Sequence, residues 1–439
     1  MLFIFLIIYS SIFLLLLIFI VMDFELLAPA GSLSKMKFAF KYGADAVYLG
    51  IPDFSLRARL NDFNLDSVKE SIRYAHSISK KVYVTFNIFA HNQHIRRFEE
   101  LKDKFVEFLN GSDKPDAVIV SDPGLMLSIK EVAPNMNLHV STQANTLNYK
   151  AVEFWIKNGA SRIIFGREAS LNDIKDIRKH FPDVELECFV HGAQCMAYSG
   201  RCFLSRYFTG SSANLGACTQ PCRWGYSQKE DNINEDNERE IILTEDEHGT
   251  YFFNSQDLCM IEYMDQLMDA GVNSFKIEGR TKSIFYIGMV MKAYRDVINF
   301  LVKKDFDGFK NKAKYWKNEL LKLVNRGYSS CFMFGEAINN PSSIDASHLP
   351  NGYRFVGDVV SDGTVFIHNK IIVGDVLEII PIVGENYSIK LLKIINPKNG
   401  DELSEFSAGD EESYVKLVFD KDVNLESMTL IMKDYSEKI

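Results

Sequence analysis

No HExxH, no GxSxG and no Cys-x2-Cys knuckle occurs in this sequence, and no GxGxxG follows its first apolar strand. The first two absences remove common hydrolase signatures, the third the tight zinc knuckle, and the last a dinucleotide-binding turn. An excess of cations is missing too: 58 Asp and Glu outnumber 49 Lys and Arg, for a formal net charge of −9. That balance argues against indiscriminate nucleic-acid binding but leaves room for a local basic face. Tryptophan and proline are scarce while Lys, Ile, Asn and Phe are frequent, a bias that hints at an AT-rich coding sequence. The 439 residues, 47% hydrophobic and 24% charged, suffice for two or three globular domains with a large core.

Residues 1–21 carry no charge at all and are long enough to span a bilayer. Yet no Lys or Arg flanks them to set an orientation, and the next charges, Asp23 and Glu25, are acidic. A secretory signal wants a positive start, and the only small-residue site, Ala28-Pro29-Ala30, lies inside the first strand. The reading favoured here starts the folded chain at Met22, leaves 1–21 as translated upstream sequence, and puts the protein in the cytoplasm. The alternative is an N-terminal membrane anchor with the catalytic part facing the cytoplasm.

From Phe24 a rhythm of apolar run, polar loop and amphipathic helix begins. Strands are expected at 25–31, 44–50, 81–89, 116–122, 137–143, 161–168, 184–192 and 273–280, with helices between them, including one near 256–270. Strands that are apolar throughout belong to a parallel sheet covered on both faces. Eight such units predict an α/β fold, a (β/α)8 TIM-like barrel over 22–305; a doubly wound open sheet is the alternative. A Lys-rich helical linker fills 306–350, and from 351 to 439 alternating β texture with SDG and VGD turns predicts a small C-terminal all-β barrel.

Barrel chemistry sits at the carboxyl ends of strands. The polar residues expected there are Asn87, Asp122, Gln143, Arg167, Glu168, His191, Lys276, Glu278 and Arg280. Asn87, Gln143, His191 and Glu278 are the candidate catalytic groups. Asp122, just before Pro123, reads equally well as a helix cap. Glu278 and Arg280 are two apart, hence on one side of a strand.

After the seventh strand comes the stretch from His191 to Tyr226, broken by Gly192, Gly200, Gly210 and Gly216 and holding Cys195, Cys202, Cys218 and Cys222. Four soft thiolates in one irregular segment suit zinc or an iron–sulfur cluster, and the loose spacing with aromatic flanks favours the cluster. Chain order alone hangs this loop, 191–226, over the barrel mouth.

Here the sequence resembles a known family. Glu187-Cys-Phe-Val-His-Gly-Ala-Gln-Cys195 through Cys202, with LLAPAGS, GADAVYLG, FNSQDLC, SFKIEGR and ACTQPCRW, is similar to peptidase family U-32, the collagenase-like peptidases, over roughly 23–430. Length and layout resemble the members acting on tRNA. The resemblance implies oxygen-independent, prephenate-dependent hydroxylation of wobble uridine to 5-hydroxyuridine, with a 4Fe-4S cluster; other members act on ribosomal RNA or ubiquinone precursors, and the family label itself is peptidase. It implies Cys195, Cys202 and Cys218 as cluster ligands, with Cys222 as the fourth and Cys259 as its rival. Prephenate carries two carboxylates, so Arg57, Arg167, Lys276 and Arg280 are candidates to meet them. Arg201, Arg206, Arg223 and Lys229 are candidates for tRNA phosphates, with Tyr198 or Trp224 stacking a splayed base.

Overall fold

The computed structural model describes residues 24–56, 63–195, 197–198, 201–223, 245–246, 249–250, 255–335, 352–360, 363–408 and 413–436. The apolar leader 1–21, Arg57, Trp224 and Lys229 lie outside these residues, and the Arg223 side chain is not described. No helix among the described residues is long and apolar enough to cross a membrane.

Strands β1 (Glu25–Pro29), β2 (Ala46–Gly50), β3 (Lys81–Phe86), β4 (Ala117–Val120), β5 (Leu138–Val140), β6 (Arg162–Ile164) and β7 (Glu185–Ala193) pair in parallel, each with the next. The chain then forms a short β8 (Asp257–Cys259) before β9 (Ser274–Ile277), which runs parallel to both β7 and β1 and closes the ring. The result is an eight-stranded parallel barrel. Every residue of β1, β2 and β4 is buried, because helices cover the outside and side chains fill the inside. Local sequence starts the helices: Ser32 caps Leu33–Lys41, Ser170 caps Leu171–His180, and Asp122 accepts from the Leu125 N–H to cap Pro123–Val132.

One expected helix starts late. Residues 256–263 are not α-helical; Asp257–Cys259 is β8, and the helix covers only Met264–Asp269. The cause is the length of β7, which runs past the barrel rim to Ala193 and leaves backbone groups unpaired there. Asp257, Leu258 and Cys259 pair antiparallel with Ala193, Gly192 and His191. A further short strand, β10 (Tyr328–Ser329), adds to β8.

Beyond it lies a second barrel of six antiparallel strands: β11 (Tyr353–Val359), β12 (Val365–Ile367), β13 (Val376–Ile380), β14 (Tyr387–Ile395), β15 (Tyr414–Phe419) and β16 (Leu430–Asp434). They run β13-β16-β11-β12-β15-β14 and close from β14 back to β13. Alternating residues such as Val356, Ile367, Leu377 and Ile389 fill its interior. The two barrels are fastened together. The Tyr42 hydroxyl donates to the Ile380 carbonyl at 2.9 Å and accepts from the Leu430 N–H at 3.1 Å. Phe285 of the helix Ile284–Val302 stacks on Phe355, ring centroids 5.2 Å apart.

Candidate active site at the barrel mouth

The carboxyl ends of the strands and the cysteine loop enclose one cavity of about 140 Å³. Asn87, Gln143, Arg167, Lys276, Glu278 and Arg280 line it from the barrel side, and Cys195, Cys202, Cys218 and Cys222 from the loop side. Residues up to 193 positions apart in sequence, Asn87 and Arg280, thus meet as chain order suggested.

β9 and the segment that follows it supply three of these side chains: Lys276 from the strand, and Glu278 and Arg280 from just beyond its end. Arg167 lies 3.6 Å from Glu278 and stands over the Phe189 ring at 4.0 Å. Lys276 stands over the Tyr48 ring at 4.3 Å. Arg280 donates to the Leu56 carbonyl, and Asn87 accepts from the Leu56 N–H at 3.1 Å, so the two hold the start of the second βα loop. Gly192 allows the tail of β7 to approach β9. Its φ is +109°, and a Cβ there would meet the Glu278 carbonyl oxygen at 2.5 Å.

Beneath the cavity the barrel interior carries a ladder of charge. Lys276 donates to Glu187 at 2.8 Å, Arg162 to Glu187 at 2.9 Å and to Glu25 at 2.5 Å, and Ser274 to Glu25 at 2.7 Å. Tyr83 also donates to Glu25. Glu187 is 0% and Arg162 3% exposed, so pairing rather than water must satisfy them. Burial pushes the Lys276 ammonium down from its ordinary value, against the Glu187 charge that opposes the shift. Burial pushes Glu25 up, but Arg162 together with the Tyr83 and Ser274 hydrogen bonds outweighs it, and the carboxyl sits below its usual range. The ladder fixes Lys276 at the cavity floor. Sequence reasoning missed Glu25, Arg162 and Glu187 as a set; the available signal was a charge inside each of three apolar strands.

Thr142 and Gln143 form a single 3-10 turn after β5, and both line the cavity. Thr142 Oγ1 and Gln143 Oε1 are buried with no hydrogen-bond partner among the described residues. Buried polar atoms are costly to leave unpaired, so both are groups for a polar ligand to satisfy. Thr142 was also missed.

The structure does not bring His191 to the cavity. Its ring lies among Tyr286, Tyr294 and Tyr328, with centroids 5.9, 5.5 and 5.3 Å away. Burial pushes its imidazole down to about 3. An unfolded histidine titrates near 6.5, so between these values the unfolded chain binds the proton and the folded one does not. This residue's contribution to stability therefore declines as pH falls from about 6.5 towards 3. Urea titrations of wild type and His191→Gln are expected to show a shallower acid limb in the variant; equal slopes would mean the folded histidine is already charged.

Tyr198 is exposed beside the loop and does not line the cavity. All seven cysteines are free thiols. Cys259, the rival fourth ligand, is buried with its sulfur 3.8 Å from the Tyr294 hydroxyl and is not on the cavity wall, where Cys222 is. Among the described residues no three His, Cys, Asp or Glu side chains converge closely enough to hold a metal ion. The donor set nevertheless fits an iron–sulfur cluster in kind: four soft sulfurs, unengaged in disulfides, border one cavity.

Residues 31–342 match peptidase family U32. The chain belongs to that family. It is 36% identical over 457 residues to the tRNA hydroxylation protein P of Haemophilus influenzae, covering 93% of this chain and 96% of that one. It is 33% identical over 284 residues to the 23S rRNA 5-hydroxycytidine synthase of Escherichia coli, covering 64% of this chain and 40% of that one. It is 32% identical over 328 residues to a collagenase of Porphyromonas gingivalis, covering 72% and 75%. This U32 member is thus an enzyme whose relatives carry both hydroxylation and peptidase names.

Proposed function

We propose that this U32 enzyme hydroxylates the wobble uridine of tRNA to 5-hydroxyuridine in the cytoplasm. Prephenate is the co-substrate, molecular oxygen is not used, and a 4Fe-4S cluster is held by Cys195, Cys202, Cys218 and Cys222. The near full-length match to a protein named for tRNA hydroxylation carries the reading. When bound, the cluster supplies redox or Lewis-acid chemistry at iron.

The chain's own residues support the remaining roles. Arg167, Lys276 and Arg280 offer three cations at one cavity for the two carboxylates of prephenate. Glu278, just past the end of β9 and beside Arg167, orients that guanidinium and is the one carboxylate among the described residues that line the cavity. Gln143 and Thr142 present polar atoms to the hydroxyl or carboxylate groups of the ligand. Gln143→Leu is expected to lower kcat/KM for prephenate about 10- to 100-fold, the loss of one or two buried hydrogen bonds, with the unfolding midpoint unchanged or higher. An unaltered KM for prephenate together with unaltered kcat would remove Gln143 from the site.

The peptidase reading finds less support. A thiol nucleophile needs its pKa depressed, whereas burial pushes Cys195 up from the ordinary value. The deciding experiment uses protein purified without air and started at Met22, incubated with prephenate and tRNA from a deletion strain. Mass spectrometry of the nucleosides is expected to show 5-hydroxyuridine appearing. Unchanged tRNA in the deletion strain would sink the proposal, and gelatin hydrolysis surviving loss of all four loop cysteines would replace it with the peptidase.

A further inference from the structure

The outer side of the cysteine loop has no part in the cavity, yet its composition is unlike the remainder of the chain. From His191 to Lys229 there is no Asp or Glu, while Arg201, Arg206, Arg223 and Lys229 supply four cations, in a protein of net charge −9. The same loop carries exposed aromatics. Phe203 is 79% and Tyr207 81% exposed, the two largest values for aromatic rings among the described residues. Phe203 is the N-cap of the short helix Leu204–Thr209 and Tyr207 lies four residues on, so both project from one face of it. Tyr207 meets Phe208 edge to face, ring centroids 5.0 Å apart, which limits its motion. The flanking residues Cys202 and Leu204 line the cavity. An aromatic shelf therefore sits at the lip of the site, on a segment of purely positive charge.

From this juxtaposition we infer that Phe203 and Tyr207 are a stacking platform for unpaired bases of an RNA loop, which presents one base to the cavity. The inference rests on the reading of tRNA as substrate and deepens it. The exposed Arg201 and Arg206 of an acid-free segment suit a phosphate backbone, and flat exposed rings suit the faces of splayed bases rather than a paired helix. A polyanion with π faces matches both features of this segment, its cations and its flat exposed rings.

The test is fluorescence anisotropy with the full-length, iron-loaded protein. The probes are a labelled anticodon stem-loop and a blunt duplex built from its stem. Phe203→Leu and Tyr207→Ala are each expected to weaken stem-loop binding about tenfold, and Tyr207→Phe to stay within about twofold of wild type. Leucine keeps the bulk of Phe203 but removes its π face. Duplex binding and the slope of log affinity against log salt should not change, because no phosphate contact is lost. Iron content and unfolding midpoint report that each variant is folded. Wild-type affinity for the stem-loop in both variants, with tRNA still hydroxylated, would overturn the platform alone. Loss of self-association in the variants with RNA binding intact would reassign the face to a second copy of the chain. A wild-type protein that neither binds the stem-loop nor modifies tRNA would bring down the substrate reading and the platform with it.

Discussion

Protein carrying Cys202→Ala, purified without air, is expected to hold less than about a tenth of the wild-type iron and sulfide, and its strain to contain no 5-hydroxyuridine. The argument begins with placement. Cys202 borders the cavity together with Cys195, Cys218 and Cys222, so removing it takes one of four sulfurs from a single wall. Three thiols on a glycine-broken loop hold iron less tightly than four, and that loop contains little regular structure. Its helix Leu204–Thr209 spans only six residues. Cys259→Ala is the matched control. Burial pushes that thiol up to about 11, and its sulfur faces Tyr294, so its loss should leave iron intact and disturb only local packing. Iron, sulfide and zinc assays on the two variants and wild type read this directly. Equal iron in wild type and Cys202→Ala would remove the loop from cluster binding. Iron lost in Cys259→Ala but kept in Cys222→Ala would exchange the fourth ligand. One zinc per chain without sulfide would end the redox reading altogether.

The eight barrel strands were legible because each is an apolar run bounded by turns, and such runs have few other homes than a covered parallel sheet. The pairing of Lys276 with Glu187 was not, because nothing in either strand points to the other and their separation is 89 positions. Only closure of the ring between β7 and β9 brings them together. β8 was hidden for a related reason: Asp257–Cys259 has no strand pattern of its own and takes its form from the overhanging edge of β7. That same overhang explains His191. Read as the end of a strand it belongs at the mouth, but β7 continues to Ala193, and the ring turns instead into three tyrosines. The cavity residues Asn87, Gln143, Arg167, Lys276, Glu278 and Arg280 were legible by position alone, since each follows or ends a strand whose boundaries the apolar runs mark.

The ladder yields the largest expected change in stability. Arg162→Met removes the cation that Glu25 and Glu187 share, and breaking a buried ion pair from one side costs about 3–5 kcal/mol. Glu187 keeps Lys276, so most of the penalty falls on Glu25, left with the hydroxyls of Tyr83 and Ser274. The pH dependence follows from the same accounting. In wild type, Arg162 with the Tyr83 and Ser274 hydroxyls outweighs burial and holds Glu25 below its ordinary value. Without Arg162, only the Tyr83 and Ser274 hydroxyls oppose burial, the largest cause, and the carboxyl is expected to rise above its unfolded value, so the folded variant binds the extra proton. Stability attributable to Glu25 is then present at low pH and lost as pH rises through the raised value, the reverse of wild type. Urea unfolding at pH 5 and pH 8 should show Arg162→Met closer to wild type at pH 5. Adding Glu25→Gln to Arg162→Met should flatten the difference, because a neutral amide has nothing to titrate. A loss below about 1 kcal/mol, independent of pH, would mean the buried carboxylates do not depend on Arg162 for their charge. Activity gives a second reading of the same ladder. If the chain Glu25–Arg162–Glu187 is what holds Lys276 at the cavity floor, Arg162→Met should raise KM for prephenate more than it lowers kcat, in protein that is still folded at the assay temperature.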